Sequence, residues 1–106
     1  MHNDDSLMVN PKIKNIVKNL PLRPGVYIMR DEEGNVIYVG KAKSLRKRVS
    51  SYFRHQGFAS PRLRKLVETI ADISTIRTET EAEALILENT LIKIHKPRYN
   101  ILLKDD

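Results

Sequence analysis

The chain has 106 residues, of which 41% are hydrophobic and 30% charged, so it is long enough for one compact domain and too apolar to be disordered. It has a formal net charge of +6 and no cysteine, which excludes disulfide frameworks and thiolate metal sites and fits an intracellular, cytoplasmic protein. No apolar run reaches the length of a membrane span, and residues 1–10 lack the apolar segment of a signal peptide.

The first predicted element is a short amphipathic helix near the N-terminus. Within residues 11–20, apolar side chains recur at helical spacing, and Pro21 ends the pattern. The residues before this helix are polar. We therefore expect residues 1–19 to form a polar segment with a short helix, and residues 20–106 to form the main domain.

Two apolar, β-branched runs separated by turn residues predict a β-hairpin. The runs are residues 26–29 and 36–39, and the turn between them has the sequence DEEGN. With the register centred on the two glutamates of this turn, Tyr27 and Tyr38 would lie opposite each other on one face of the sheet.

Serine residues mark the starts of the next two predicted helices. Ser44 is expected to cap a helix whose buried stripe includes Leu45, Val49 and Tyr52. Ser60 followed by Pro61 is typical of a second helix start, because proline suits the first helical position.

The last third of the sequence predicts a strand and the strongest helix. Residues 72–78 alternate around two isoleucines, as a strand does, and Thr80 with Glu83 fits a capping box that opens a helix at about residues 81–95, which Pro97 ends. The tail, residues 98–103, is expected to be extended. Together these elements predict an α/β fold in which a small antiparallel sheet of about three strands is flanked by helices.

The charges are segregated along the chain. The charged residues in the range 41–65 are all basic. In the range 66–90 the charged residues are acidic, with Arg77 as the exception. A concentrated cationic sector attracts polyanions, of which nucleic acid is the commonest, through release of counterions. Charge alone favours this explanation no more than a basic surface that aids solubility.

Glu88 is the first candidate for chemistry. At helical spacing its neighbours are apolar, so the carboxylate would lie on or beside the buried stripe of its helix, where desolvation costs several kcal/mol unless a cation or hydrogen-bond donors compensate it. A single carboxylate can hold Mg²⁺ together with waters and a substrate phosphate. Taken alone, the position of Glu88 is explained better by a boundary glutamate that reaches solvent or pairs with a nearby Lys or Arg.

The two tyrosines and Arg48 are the other candidates. Cross-strand tyrosines usually only stabilise a hairpin, but Gly25 and Gly40 would leave the strand ends open to a ligand. The ammonium group of Lys41 would favour an ionised phenol able to take a proton from water. Arg48 follows Leu45 by one helical turn and is expected near the buried side, where it would stabilise charge on a phosphoryl group or simply position a phosphate.

Taken in order, these residues resemble the GIY-YIG nuclease family. Its two motifs correspond to Gly25-Val26-Tyr27 and Tyr38-Val39-Gly40, with valine in place of each isoleucine. The flanking segments GKAKSLRKRV and EAEALILENTLIKIHKPRYN are similar to the UvrC-type N-terminal domain, and the similarity covers roughly residues 20–106.

The resemblance implies a metal-dependent endonuclease that hydrolyses DNA on the 3′ side of a lesion in nucleotide excision repair. Glu88 would hold one Mg²⁺ or Mn²⁺ ion. Five residues would act in catalysis, with Tyr27 accepting the proton of water and Arg48 stabilising the transition state: Tyr27, Tyr38, Lys41, Arg48 and Asn100. Five more would contact DNA: Lys43, Arg46, Lys47, Tyr52 and Arg54.

The resemblance also implies partners. A monomeric domain of this kind would act on damaged duplex DNA, and UvrB would bind through parts of a longer protein outside this chain. The alternative is a basic DNA-binding module without catalysis, in which the tyrosines serve packing and the basic helix only holds phosphate. It predicts salt-sensitive binding without cleavage.

Overall fold

The computed structural model describes residues 11–54 and 58–103. They form five helices and three strands in the order α1 (Pro11–Lys18), β1 (Gly25–Arg30), β2 (Val36–Ala42), α2 (Leu45–Tyr52), α3 (Pro61–Thr69), β3 (Asp72–Arg77), α4 (Glu81–His95) and α5 (Arg98–Leu102). The predicted α/β fold with a small antiparallel sheet is confirmed. The polar segment predicted before α1 lies outside the described residues, and the division of the chain at residue 20 stays a prediction.

The sheet has the order β2-β1-β3, and both neighbouring pairs are antiparallel. Because side chains alternate along a strand, β1 contributes to two separate cores. Tyr27 and Met29 point into the larger core, to which α1, α2 and α3 also contribute. Val26 and Ile28 point to the other face, where Ala84 of α4 packs against them.

The hairpin register differs from the predicted one by two residues. Tyr27 pairs with Gly40 and Met29 pairs with Tyr38, and an irregularity between Met29 and Arg30 shifts the pairing near the turn. The extra residue in β2 displaces the pairs beyond it by one residue, and the other residue of the difference lies in the turn, where Arg30 already pairs with Val36. The two tyrosines nevertheless share a face, as diagonal rather than direct neighbours.

The predicted capping box at the start of α4 is present, whereas the predicted extended tail is not. The Thr80 hydroxyl accepts a hydrogen bond from the Glu83 N–H at 3.1 Å, and the Glu83 carboxylate accepts one from the Glu79 N–H at 2.8 Å. The expectation of an extended tail was wrong, because the chain resumes a helix, α5, directly after Pro97. The buried ring of Tyr99 anchors this short helix to the larger core.

α1 packs on α2 and is part of the same folded unit. Ile13, the buried residue of α1, lies in the larger core with a relative exposure of 2%. No helix in residues 11–54 and 58–103 is long and apolar enough to cross a membrane.

Candidate active site

Three tyrosines meet at the end of the hairpin that faces α2. The ring centroids of Tyr27 and Tyr38 are 6.2 Å apart, and the Tyr52 ring stands edge-on at 5.9 Å from Tyr27 and 6.2 Å from Tyr38. The hydroxyl groups of Tyr27 and Tyr52 share a hydrogen bond of 2.8 Å. β1, β2 and α2 therefore each contribute one phenol to a single cluster.

Exposure separates the members of this cluster. Tyr27 and Tyr52 each have a relative exposure of 1%, whereas Tyr38 is partly exposed. The expectation that Tyr52 contacts DNA directly was therefore wrong for this structure, because its side chain is enclosed. Its hydroxyl is committed to Tyr27 instead.

The two motif glycines fill a different role from the expected one. A Cβ atom at Gly40 would collide with the phenol ring and hydroxyl of Tyr27, and one at Gly25 would collide with the Ile76 carbonyl oxygen of β3. The prediction that these glycines leave room for a ligand was wrong. The space is taken by the protein itself, and the absent side chains permit close packing.

The phenols are uncharged at neutral pH. Burial raises the pKa of Tyr27 to about 12, and burial also raises the pKa values of Tyr38 and Tyr52. The expected ionised phenol was wrong, because desolvation outweighs the nearby cations. Arg48 opposes this effect on all three groups through its positive charge.

Arg48 reaches this cluster from the first turns of α2, as its spacing from Leu45 predicts. Its guanidinium carbon lies 5.3 Å from the centroid of the Tyr52 ring, which is the geometry of a cation–π contact. The charge of Arg48 also lowers the pKa of Tyr27. An arginine placed in this way holds a positive charge beside the phenol hydroxyls.

Glu88 lies beside the same cluster on α4. Its carboxyl group is partly buried, and this burial raises its pKa, while the charge and the backbone N–H of Lys41 lower it. The negative charge of Glu88 in turn contributes to the raised pKa of Tyr38. Arg48 acts on Tyr38 as well, with the opposite sign, so both charged groups lie close enough to Tyr38 to influence its pKa.

The residues that could hold a cation are few. Within residues 11–54 and 58–103, no group of three or more His, Cys, Asp or Glu residues is placed to bind a metal ion. Glu88 is a carboxylate that acts electrostatically on Tyr38, and a hard cation bound there would complete its shell with water or phosphate oxygens.

Asn100 supports the site from behind β2. Its side-chain oxygen accepts a hydrogen bond from the Val39 N–H, and its side-chain nitrogen donates one to the Val39 carbonyl, both at 2.8 Å. Val39 stands between Tyr38 and Gly40, so this pair of bonds fixes the strand segment that carries them. Asn100 acts by positioning that segment.

A cleft of about 450 Å³ opens beside the cluster, between the start of α2 and the start of α4. It is lined mainly by cationic side chains, with Glu81 as its acidic residue: Lys41, Ala42, Lys43, Ser44, Lys47, Arg48, Glu81 and Ala84. Ser44 precedes α2 but makes no capping hydrogen bond, and its hydroxyl oxygen is buried without a partner among the described residues. Ser44 therefore occupies the predicted cap position of α2 without making the capping hydrogen bond.

The remaining predicted DNA contacts divide into two groups. Lys43 and Lys47 are exposed at the cleft, whereas the Arg46 side chain donates a hydrogen bond of 2.8 Å to the Leu20 carbonyl and so ties α2 to the loop between α1 and β1. Arg54 lies apart from the cleft, in a groove between α1 and α2. Glu81 was not predicted at the cleft, and no sequence signal distinguishes it from the other acids of α4.

Comparisons with known proteins identify the family of the domain that carries this site. Residues 23–101 match the family model described as the UvrC-like GIY-YIG domain. UvrABC system protein C of Carboxydothermus hydrogenoformans is 60% identical over 90 residues, which cover 85% of this chain and 15% of that protein. The Gloeobacter violaceus protein of the same name is 54% identical over 102 residues, covering 95% of this chain and 16% of its own length.

A solved structure is similar over nearly its whole length. The GIY-YIG N-terminal endonuclease domain of UvrC from Thermotoga maritima, bound to its catalytic divalent cation magnesium, is 37% identical with a TM-score of 0.77. The match covers 87% of this chain and 99% of that one. Single-site variants of that domain, with Tyr replaced by Phe or Asn by Ala, were solved with the catalytic divalent cation bound.

Proposed function

The chain belongs to the UvrC-like GIY-YIG domain family, and from this membership we propose that it is an endonuclease domain of nucleotide excision repair. It would use a divalent metal ion to hydrolyse a phosphodiester bond on the 3′ side of a DNA lesion. The observation that supports this most strongly is that Arg48 and Glu88 both act on the tyrosine cluster, while Arg48 also lines the adjoining cationic cleft.

Glu88 is the proposed metal ligand. Mg²⁺ and Mn²⁺ prefer oxygen ligands, and Mg²⁺ in particular binds through one or two carboxylates while keeping water and phosphate in its shell. In the T. maritima domain, replacement of single tyrosines by Phe leaves the cation bound, which supports a carboxylate rather than a phenol as the main ligand. When bound, such an ion polarises a phosphate oxygen and stabilises the leaving 3′-oxygen.

Arg48 and the cleft lysines would bind and stabilise the phosphate. The guanidinium group is held over the Tyr52 ring, so its charge is already in place before DNA arrives. Charge that builds up on the phosphoryl oxygens in the transition state is stabilised by such a preorganised cation. Lys41 opposes the rise in the pKa of the Glu88 carboxyl group, while Lys43 and Lys47 line the cleft and are exposed to contact the backbone phosphates.

Tyr38 is the phenol best placed to hydrogen-bond and orient the attacking water. It is the partly exposed member of the cluster and is influenced by the charges of both Arg48 and Glu88, whereas Tyr27 is enclosed. We assign Tyr27 and Tyr52 the role of holding the Tyr38 ring through their packing and their shared hydrogen bond. This differs from the role that the family resemblance gives to Tyr27.

The curated relatives extend well beyond the region that they share with this chain, which spans about 15% of their length. We assign recognition of the lesion and binding of UvrB to other parts of such a longer protein. The same relatives are bacterial, and we place the activity in the bacterial cytoplasm.

Replacing Glu88 by Gln tests the proposal. Glu88→Gln keeps the size of the side chain and removes its charge, so Mn²⁺ binding and cleavage of a lesion-containing duplex by the reconstituted repair complex should both be lost. Glu81→Gln is the matched control, since it changes an acid that lines the cleft about two helical turns away on the same helix. Cleavage by Glu88→Gln at the wild-type rate would falsify the metal assignment, and binding without cleavage by the wild type would favour the silent DNA-binding module.

A further inference from the structure

A second basic depression lies on the opposite side of α2 from the cleft. It is a groove of about 240 Å³ between α1 and α2, lined by Ile13, Lys14, Val17, Lys18, Ser50, Phe53 and Arg54. Ile13 and Phe53 are buried and form an apolar floor, while the three cationic side chains are exposed at the rim. α1 precedes residues 23–101, so the family match does not cover this helix.

The cations of this groove have no acidic counterpart in the part of the chain that the structure describes. The ion pairs found there join Lys12 to Asp72 and Arg64 to Glu68, and no acidic side chain lines the groove. Lys14 and Lys18 are one helical turn apart on α1, where like charges destabilise a helix. Their presence weakens α1, and an anion bound between them would relieve the repulsion.

The position of the groove indicates which anion would bind. Arg48 of α2 lines the cleft and Ser50 lines the groove, and two positions along a helix correspond to about 200° of rotation, so the two depressions lie on opposite flanks of α2. A helix with its side chains is about 10 Å wide, and the major groove of duplex DNA, about 12 Å wide, admits one. Two basic depressions separated by one helix therefore match two stretches of phosphate backbone that lie on either side of a DNA groove.

We propose that the α1–α2 groove is a second DNA-backbone site, which binds phosphates of the duplex on the far side of α2 from the bond that is cut. This inference rests on the proposed function, because the path of the duplex is taken from the cleft at which cleavage would occur. Lys14 and Lys18 would bind phosphate as flexible point charges, without reading the sequence of bases.

The test compares two pairs of substitutions that remove the same charge. Lys14→Ala with Lys18→Ala removes the groove cations, and Lys12→Ala with Arg64→Ala removes two cations that are already paired with acids. Binding of a fluorescent duplex is measured by anisotropy over a range of salt concentrations, without divalent metal. The groove variant should bind more weakly, with a log–log salt dependence shallower by about two, because each phosphate contact contributes close to one unit of slope.

Substrate length provides the second measurement. On a duplex trimmed so that it ends beneath α2, the groove variant and the wild type should bind equally, since the distal phosphates are gone. At saturating full-length duplex, the groove variant should cut as fast as the wild type in a single turnover. Equal salt dependence of the groove variant and the wild type, or the same loss in the paired-cation control, would overturn the proposal.

These outcomes separate the groove from the nuclease assignment. If the groove variant shows the predicted binding loss while the wild-type complex does not cut DNA, the second backbone site stands and the proposed function fails. If Glu88→Gln abolishes cutting while the groove variant binds DNA as the wild type does, the proposed function stands and the groove has no such role.

Discussion

Tyr27 of β1 lies directly across from Gly40 of β2, and its phenol occupies the space in which a side chain at position 40 would stand. This close approach lets the ring extend along the sheet face until its hydroxyl meets that of Tyr52 on α2. The glycine of one motif thus positions the tyrosine of the other. The two motifs are parts of one packing arrangement.

Gly40→Ala should therefore destabilise the fold and disturb the tyrosine cluster. The added methyl group must displace an enclosed ring, and overpacking of this kind costs about 1–3 kcal/mol of unfolding free energy. Chemical denaturation measures the loss. In a double-mutant cycle with Tyr27→Leu, which removes the ring from that space, the two losses should sum to more than the loss of the double variant. Simple additivity would contradict the packing relationship.

The hydroxyl of Tyr38 should matter more for cutting than that of Tyr27. Tyr38→Phe keeps the ring but removes the hydroxyl proposed to hydrogen-bond and orient the attacking water, and loss of such positioning costs about 10²-fold in rate. Tyr27→Phe removes a buried hydrogen bond to Tyr52 and should reduce the rate less. Single-turnover cleavage by the reconstituted complex measures both. A greater loss in Tyr27→Phe would return the water-activating role to Tyr27.

High pH should destabilise the protein through the tyrosine cluster. The pKa of Tyr27 is about 12 in the folded state, against about 10 for an exposed phenol. The contribution of Tyr27 to the unfolding free energy is therefore complete below pH 10. It is lost as the pH rises towards 12, because the phenol of the unfolded chain releases its proton at a lower pH than that of the folded protein. Between these values one such group lowers the unfolding free energy by about 1.4 kcal/mol per pH unit.

Urea denaturation at several alkaline pH values tests this dependence. Tyr27→Phe has no proton to lose at that position, so its stability should fall less steeply with pH than that of the wild type. Equal slopes for the two proteins would show that the phenol ionises as easily in the folded state as in the unfolded chain.

The sequence predicted the elements well and the contacts between them less well. β-branched runs and capping residues follow from local energetics, so the three strands and α4 were found where expected. The hairpin register depends on an irregularity at Met29 and Arg30, which no local preference encodes. The extended tail was mispredicted because α5 is only five residues long and depends on the burial of Tyr99.

The candidate site shows the same division. Spacing on a helix placed Arg48 and Glu88 on the correct sides of α2 and α4, since helical periodicity is regular. The pKa of Tyr27 was mispredicted because burial depends on the whole fold rather than on the neighbouring lysine in the sequence. The bonds of Asn100 to Val39 join residues 61 positions apart, a distance over which no sequence pattern specifies a partner.

Replacing the serines before α2 and α3 by alanine should have different effects on the unfolding free energy. Ser60 accepts a hydrogen bond from the Leu63 N–H at 3.2 Å, so Ser60→Ala should cost about 1 kcal/mol of unfolding free energy. The Ser44 hydroxyl is buried without a partner in the part of the chain described, so Ser44→Ala removes a desolvated polar group and should be neutral or stabilising. Thermal denaturation of both variants provides the comparison. A loss in Ser44→Ala equal to that in Ser60→Ala would mean that the Ser44 hydroxyl does cap α2.

Lys41 should control the pH at which Glu88 is ionised. Burial raises the pKa of the Glu88 carboxyl group and the Lys41 ammonium group opposes this rise, so Lys41→Met should raise the pKa further. A cation binds the ionised carboxylate, which means that binding weakens as the pH falls through this pKa. In Lys41→Met that weakening should begin at a higher pH. At higher pH the variant should bind Mn²⁺ at least as tightly as the wild type, because an ammonium group that repels the ion has been removed.

Two measurements distinguish these effects of Lys41. Carboxyl ¹³C NMR without metal follows the Glu88 titration directly, and electron paramagnetic resonance follows free Mn²⁺ as the pH is varied. Lys43→Met is the matched control, since Lys43 lines the cleft but is not among the groups that shift the Glu88 pKa. An unchanged or lowered Glu88 pKa in Lys41→Met would show that the ammonium group does not act on the carboxylate. If the Mn²⁺-binding curves of Lys41→Met and the wild type cross as the pH is varied, Lys41 has two opposing effects: it favours the ionised Glu88 carboxylate and it repels the bound ion. Weak binding of this kind suits an ion that is held mainly when a DNA phosphate completes its shell.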